Sequence, residues 1–414
     1  MANKYLTYAS VPLLAASIAA TMPVQAVTVE QLNRQVQKMN QRLSAQDQRF
    51  RVNGFASFGL AMSDEAIAYD SITEDLDFRR MSKVGVQMTF NLDEKNSVVT
   101  QLVSRGLNQW ETEAEWAFFR HQFNNSVSTK IGRIRLPAFM FSEYLDVGYA
   151  YPWTETPRET YESLEPFANM DGVDISYSMD VGFNTLTFQL AAGRSISDQF
   201  DLKELISVNG VFQADTWNAR VSYSQSSDME IRSGTATEIN TPVTQIYGGD
   251  DSGITGTFAS LGFTYDPGHI YLASEFTRLE VDGEVVDADA GYFAVGYRMG
   301  RMMPILTYGF TESQDDDERS LQAAADNSTG GDTSLLPPAT ATGVAQFQAG
   351  NNRDTTRIGL GLRYDMSPGT ALKVQYDVIE ADAGGMFTAA DYAATGANAP
   401  DGTNILTITI DTVF

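Results

Sequence analysis

A set of basic residues stands out for its type and spacing. Arg79, Lys83, Arg105, Arg120, Arg133 and Arg135 come early in the chain, and Arg357, Arg363 and Lys373 come late. All read as lying on the face opposite the apolar residues of alternating segments. Between the two groups, the stretch 137–170 is acidic, with Glu143, Asp146, Glu155, Glu159, Glu162 and Glu165. Cations on a wall that face carboxylates on an insert set up a transverse field, which orients dipolar solutes and selects by charge. The same residue types also form ion pairs that hold an insert against a wall, and both roles are compatible. On that insert, Tyr144, Tyr149, Tyr151 and Trp153 are of a kind that stacks on sugar rings or packs a folded loop. Catalysis is not indicated. Covalent catalysis needs a nucleophile beside a base, and the 2 histidines are His121 and His269. His269 follows the turn sequence Asp266-Pro267-Gly268, and His121 shares the parity of Phe119 and Phe123. With Cys 0 in the composition, thiol chemistry, disulfides and Cys-based zinc sites are excluded. No cofactor and no metal site are expected.

Such a parity requires strands. Val52, Gly54, Ala56, Phe58 and Leu60 form one alternating face, and Val84, Val86, Met88, Phe90 and Leu92 form the next. Period-2 alternation describes strands with one greasy and one wet side. Further strands read near 97–105, 113–123, 128–136, 171–180, 184–194, 206–214, 217–226, 254–266, 269–279, 290–299, 303–312, 354–365, 370–380 and 404–414. The count is about sixteen, each near the ~10 residues of a tilted membrane strand. Connections alternate between tight turns, such as Asp93–Asn96, Asn124–Val127 and Met299–Met302, and long segments near 62–77, 137–170, 227–253, 313–353 and 381–403. The segment 313–353, with Asp315-Asp316-Asp317-Glu318, reads as a mobile, solvated loop. The fold class is therefore all-β: a transmembrane antiparallel β-barrel over residues 50–414. Aromatics near strand ends, among them Phe90, Phe123, Tyr297 and Tyr376, suit interfacial girdles.

The termini indicate a destination. Residues 1–26 read as a signal peptide, with Lys4, an apolar stretch from Val11 to Ala20 and small residues at Val24-Gln25-Ala26. Residues 27–49 change period: Val29, Leu32, Val36, Met39 and Leu43 follow heptad spacing, which predicts a short periplasmic coiled-coil helix. No internal run reaches the roughly 18–20 apolar residues of a membrane helix. A formal net charge of -25 argues against nucleic acid, whose phosphates need basic patches.

Two motifs resemble a known family. The chain closes on Asn404-Ile405-Leu406-Thr407-Ile408-Thr409-Ile410-Asp411-Thr412-Val413-Phe414, an alternating strand ending in Phe. Lys130-Ile131-Gly132-Arg133-Ile134-Arg135-Leu136-Pro137 leads into the long insert at Ser142-Glu143-Tyr144-Leu145-Asp146. Together with the barrel pattern, these resemble the Gram-negative outer-membrane general porin family. The resemblance implies an outer-membrane location, contact with outer-membrane lipid and lipopolysaccharide, a homotrimer, and passive diffusion of small hydrophilic or charged solutes. It also implies that the insert near 137–170 folds into the lumen and narrows it. The alternatives are a substrate-selective channel with a lumenal site for small anionic solutes or sugars, and a structural or adhesive barrel.

Overall fold

A computed structural model describes residues 49–414, apart from 67, 163, 165–167, 198–199, 232–252, 284 and 383–399. The chain divides into two units, Met1–Gln48 and Arg49–Phe414. The expected signal peptide, the expected coiled-coil helix and Glu165 lie outside the described residues.

Alternation becomes a closed ring of sixteen antiparallel strands, each paired with its neighbours in sequence, and the first with the last. They are β1 (Phe50–Ser63), β2 (Lys83–Asn91), β3 (Asn96–Arg105), β4 (Thr112–Gln122), β5 (Val127–Arg135), β6 (Asn169–Val181), β7 (Asn184–Ile196) and β8 (Phe200–Gln213). Then follow β9 (Trp217–Ile231), β10 (Ile254–Tyr265), β11 (Ile270–Val281), β12 (Ala288–Tyr297), β13 (Met302–Ser313), β14 (Asp354–Ser367), β15 (Thr370–Asp382) and β16 (Gly402–Val413). Every strand expected from alternation is present.

Burial is inverted relative to a water-soluble sheet. On β16, Thr407, Thr409 and Asp411 are buried, whereas Ile410 is exposed. Phe90, Phe123, Phe263, Phe276, Tyr297, Tyr308 and Tyr376 are likewise exposed on the outside. Covering one such large side chain with hydrocarbon is worth roughly 1.5–3 kcal/mol, so the outer face demands lipid. Closure leaves no unpaired edge, which hydrocarbon would not tolerate. The seam closes at the C-terminus, where Gly54 and Phe414 exchange backbone hydrogen bonds of 2.7 and 2.9 Å.

One end of the barrel carries only tight turns. In the β2–β3 turn, Asp93 accepts the backbone N–H of Lys95 at 2.8 Å and of Asn96 at 2.9 Å. In the β10–β11 turn, Gly268 takes φ +107°, open to glycine and costly for other residues. The other end carries the long loops, but the segregation is less strict than expected. The β3–β4, β7–β8 and β11–β12 connections at that end are also short. The segment expected to be a mobile, solvated loop has local structure of its own, with Asp317 and Glu318 exposed. It contains two helices, Leu321–Ser328 and Pro338–Asn351. Its Asp315 turns onto the buried Arg319 guanidinium at 2.7 Å, and Asn352 accepts from Arg319 at 2.8 Å.

Candidate functional site: a loop across the lumen

The insert between β5 and β6 folds into the barrel and packs there through its aromatics. Phe139, Phe141, Trp153 and Tyr161 are buried together with Phe258, Tyr271 and Tyr292 from the wall. The Trp153 indole donates to Thr307 Oγ1 at 2.8 Å. Tyr151 and Trp153 are each 1% exposed, so they pack the loop and offer no ring face to a sugar. The rest of the insert is irregular: two short 3-10 turns, Ser142–Tyr144 and Gly148–Ala150, then α1 (Arg158–Tyr161).

Polar contacts fix this loop to three arcs of the wall. Against β9–β11, Ser222 and Ser260 both donate to the Ala138 carbonyl at 2.6 Å. There Glu275 accepts from the Met140 N–H at 2.7 Å and from the Tyr161 hydroxyl at 2.6 Å. Arg220 donates to Glu143 at 3.1 Å.

Against β13–β16, Arg357 bridges Glu159 at 2.7 Å and Asp377 at 3.2 Å. Lys373 pairs with Asp411 at 2.9 Å and donates to the carbonyls of Gly148 and Trp153, both at 2.6 Å. Arg363 donates to the Tyr149 carbonyl at 2.8 Å and lies 4.7 Å from the Tyr149 ring. This close approach needs a glycine: a Cβ on Gly148 would collide with Asp411 and Ser57.

Against β3–β5, Asp146 is gripped by Arg105 at 2.7 Å and Arg135 at 2.5 Å. Both guanidiniums also reach Glu115, at 2.5 and 3.2 Å. Burial alone would push the Asp146 carboxyl up. Arg105, Arg135 and Lys83 outweigh burial and hold it well below the usual carboxylate range. Glu155 is likewise held down against burial, by Arg158 and Arg80. Burial, with Glu143 beside it, pushes the Tyr144 phenol up to about 12.

Beside this third anchor lies a cavity of about 490 Å³. Its charged lining comprises Arg80, Lys83, Arg105, Arg133, Arg135 and Arg158, facing Glu113, Glu115, Asp146, Glu155 and Glu162. It extends to Leu107, Asn108 and Ser197 at the loop end of the barrel.

The structure thus divides the residues singled out by parity. Lys83, Arg105, Arg133 and Arg135 meet Asp146 and Glu155 around the cavity. Arg357 and Lys373 lie buried at 3% and 1% exposure, sealed under the loop together with Glu159. Arg363 also serves the loop backbone. Glu143 pairs with Arg220 on the opposite arc. Two placements are corrected. Arg79 is not on a strand: it stands exposed in the β1–β2 connection, paired with Asp77 at 2.9 Å. Arg120 is on β4 but away from the cavity, donating to Gln122 near the tight-turn end.

Parity reading missed several participants. Arg220 lies on β9 opposite the outward Val221 and Tyr223, so the same rule reaches it. Glu115 is different. The β3–β4 register shifts between Gln101 and Leu102, and this bulge turns Glu115 inward although it shares the parity of the outward Phe119. A bulge re-aims a side chain in this way. The available signal was a carboxylate at a lipid-facing parity, which hydrocarbon would not accept. Arg80 and Arg158 lie off the strands, where parity does not apply.

A family model described as Gram-negative porin matches residues 14–384. Among solved structures, an OmpF of Salmonella typhi in complex with daunomycin matches with a TM-score of 0.55 and 12% identity, covering 88% of this chain and 97% of that one. An anion-selective porin from Comamonas acidovorans matches with a TM-score of 0.54 and 12% identity, covering 88% and 99%. A trimer form of OmpT of Vibrio cholerae matches with a TM-score of 0.51 and 11% identity, covering 88% and 99%. No curated protein matches.

Proposed function

Since the chain belongs to the Gram-negative porin family, and is therefore a non-enzymatic outer-membrane channel for passive diffusion, we propose that its narrowest passage runs between the inserted loop and the β2–β5 wall and favours small hydrophilic anions. One observation carries this reading. The acids Glu115, Asp146 and Glu155 are each held by a guanidinium, whereas Lys83 and Arg133 line the cavity without an ion pair among the described residues. The lining as a whole carries six basic against five acidic side chains, and a net positive confined space raises the local concentration of anions. A lumenal site for sugars is disfavoured at Tyr151 and Trp153, whose rings are buried.

The proposal extends to assembly and location. A homotrimer set in outer-membrane lipid and lipopolysaccharide suits the exposed apolar belt, and the OmpT match bears the description of a trimer. Export by residues 1–26, followed by a helix over 27–49, belongs to the same reading.

The test is the reversal potential of the purified channel in a planar bilayer under a potassium chloride gradient. Wild type should pass chloride over potassium, and Lys83→Gln should weaken that preference. A cation preference that is indifferent to Lys83→Gln overturns the reading.

A further inference from the structure

The connection between β1 and β2 also enters the barrel mouth. At the outer ends of β15 and β16, three inward apolar residues, Ile379, Ala381 and Ile405, form a seat in a wall whose neighbouring inward positions are Asp377, Thr403 and Thr407. Tyr69 and Ile72 fill that seat, each 0% exposed. The two residues exchange both backbone hydrogen bonds at 2.9 Å across a two-residue turn. At the tip, Asp70 and Ser71 take φ of +48° and +68°.

That geometry ordinarily selects Asn-Gly or Asp-Gly. Serine in the left-handed region is held there only where the surroundings over-determine the backbone. The seat supplies one constraint and charge supplies the other. Asp70 contacts Arg80 of its own loop and lies 3.0 Å from Arg158 on α1 of the insert. Arg80 reaches back to Glu155 of the insert at 3.6 Å. Arg80, Glu155 and Arg158 all line the cavity.

We propose that the β1–β2 loop is a second constriction element: its Tyr69–Ile72 turn docks inside the barrel mouth, and Asp70 positions Arg158 at the passage and offsets its charge. The selectivity part of this inference rests on the passage proposed above; the docking does not.

The test uses two readouts. In planar bilayers, Asp70→Asn should shift the reversal potential toward anions, because Arg158 and Arg80 both lose a carboxylate. The double exchange Asp70→Asn with Ser71→Gly keeps the turn type and should give the same shift, separating charge from backbone geometry. In a background that removes both cations Asp70 contacts, Arg80→Gln with Arg158→Gln, the shift caused by Asp70→Asn should largely vanish, and restoring Arg158 alone should bring part of it back. An equal shift in that background, or none in a conducting channel, overturns the positioning role.

Docking is read independently, and the absence of cysteine in the native chain makes thiol labelling clean. With a membrane-impermeant thiol reagent, Ile72→Cys should be protected, and Ser71→Cys, at the exposed tip, should react readily. Equal labelling of the two overturns the docking. A wild-type channel that conducts nothing refutes the passage reading while leaving the labelling result to stand or fall by itself. Heat-dependent migration on a denaturing gel verifies that each barrel has folded.

Discussion

Two arcs of the wall carry inward cations of the same types, yet they act differently. On β13–β16, Arg357 and Lys373 are dry, and their partners are Glu159, Asp377, Asp411 and loop carbonyls. On β2–β5, Lys83, Arg105, Arg133 and Arg135 border the cavity of about 490 Å³. The first arc clamps the loop and is sealed by it; the second also anchors the loop, through Asp146, but borders the space that a solute meets. An inward direction therefore does not define a role. The role is decided by whether the inserted loop covers the residue or stops short of it.

Lys373→Ala breaks the dry arc and should have the largest effect. It leaves Asp411, fully buried, without its cation, and removal of one partner of a buried pair costs about 3–5 kcal/mol. The urea midpoint of the barrel in detergent should fall accordingly. An unchanged midpoint would mean that the clamp contributes nothing.

Asp146→Asn tests the wet arc and should cost less, roughly 2 kcal/mol, the scale of a hydrogen bond to a charged group. The pH dependence follows from the depressed carboxyl. Its contribution is fully present above the unfolded pKa of about 3.9 and is lost as pH falls through the lower folded value. This anchor should therefore be insensitive to pH from about pH 8 to about pH 5. A mid-range titration of wild-type stability that disappears in the Asp146→Asn variant would contradict that.

Glu115→Gln sharpens the contrast at a comparable cost in stability, roughly 2 kcal/mol. It removes the carboxylate that Arg105 and Arg135 share, so the reversal potential should move toward anions. No movement would show that these guanidiniums are screened from the passage.

Arg79→Ala should do least, within about 0.5 kcal/mol and with selectivity unchanged. Its side chain is 67% exposed. Any loss of anion preference on this substitution would place Arg79 in the field after all.

The barrel was legible because alternation along a strand is local. Thr407, Thr409 and Asp411 opposite Leu406, Ile408 and Ile410 suffice to say which side is wet. The site was legible only in part. Parity located Lys83, Arg105 and Arg135, but it failed at Glu115, where one extra residue in the ladder reverses the phase. It was silent on Arg80 and Arg158, which lie off the strands.

Composition and period by themselves determined the sheet, its closure, the number of strands and the end that carries the long loops, but not every strand limit: β8 and β9 reach five to six residues further than alternation showed. What they did determine follows from backbone geometry and from the cost of placing polar groups in hydrocarbon. Tertiary structure alone decided which cations are sealed and which meet water. That depends on where a loop, free of any period, comes to rest against walls formed by strands distant in sequence.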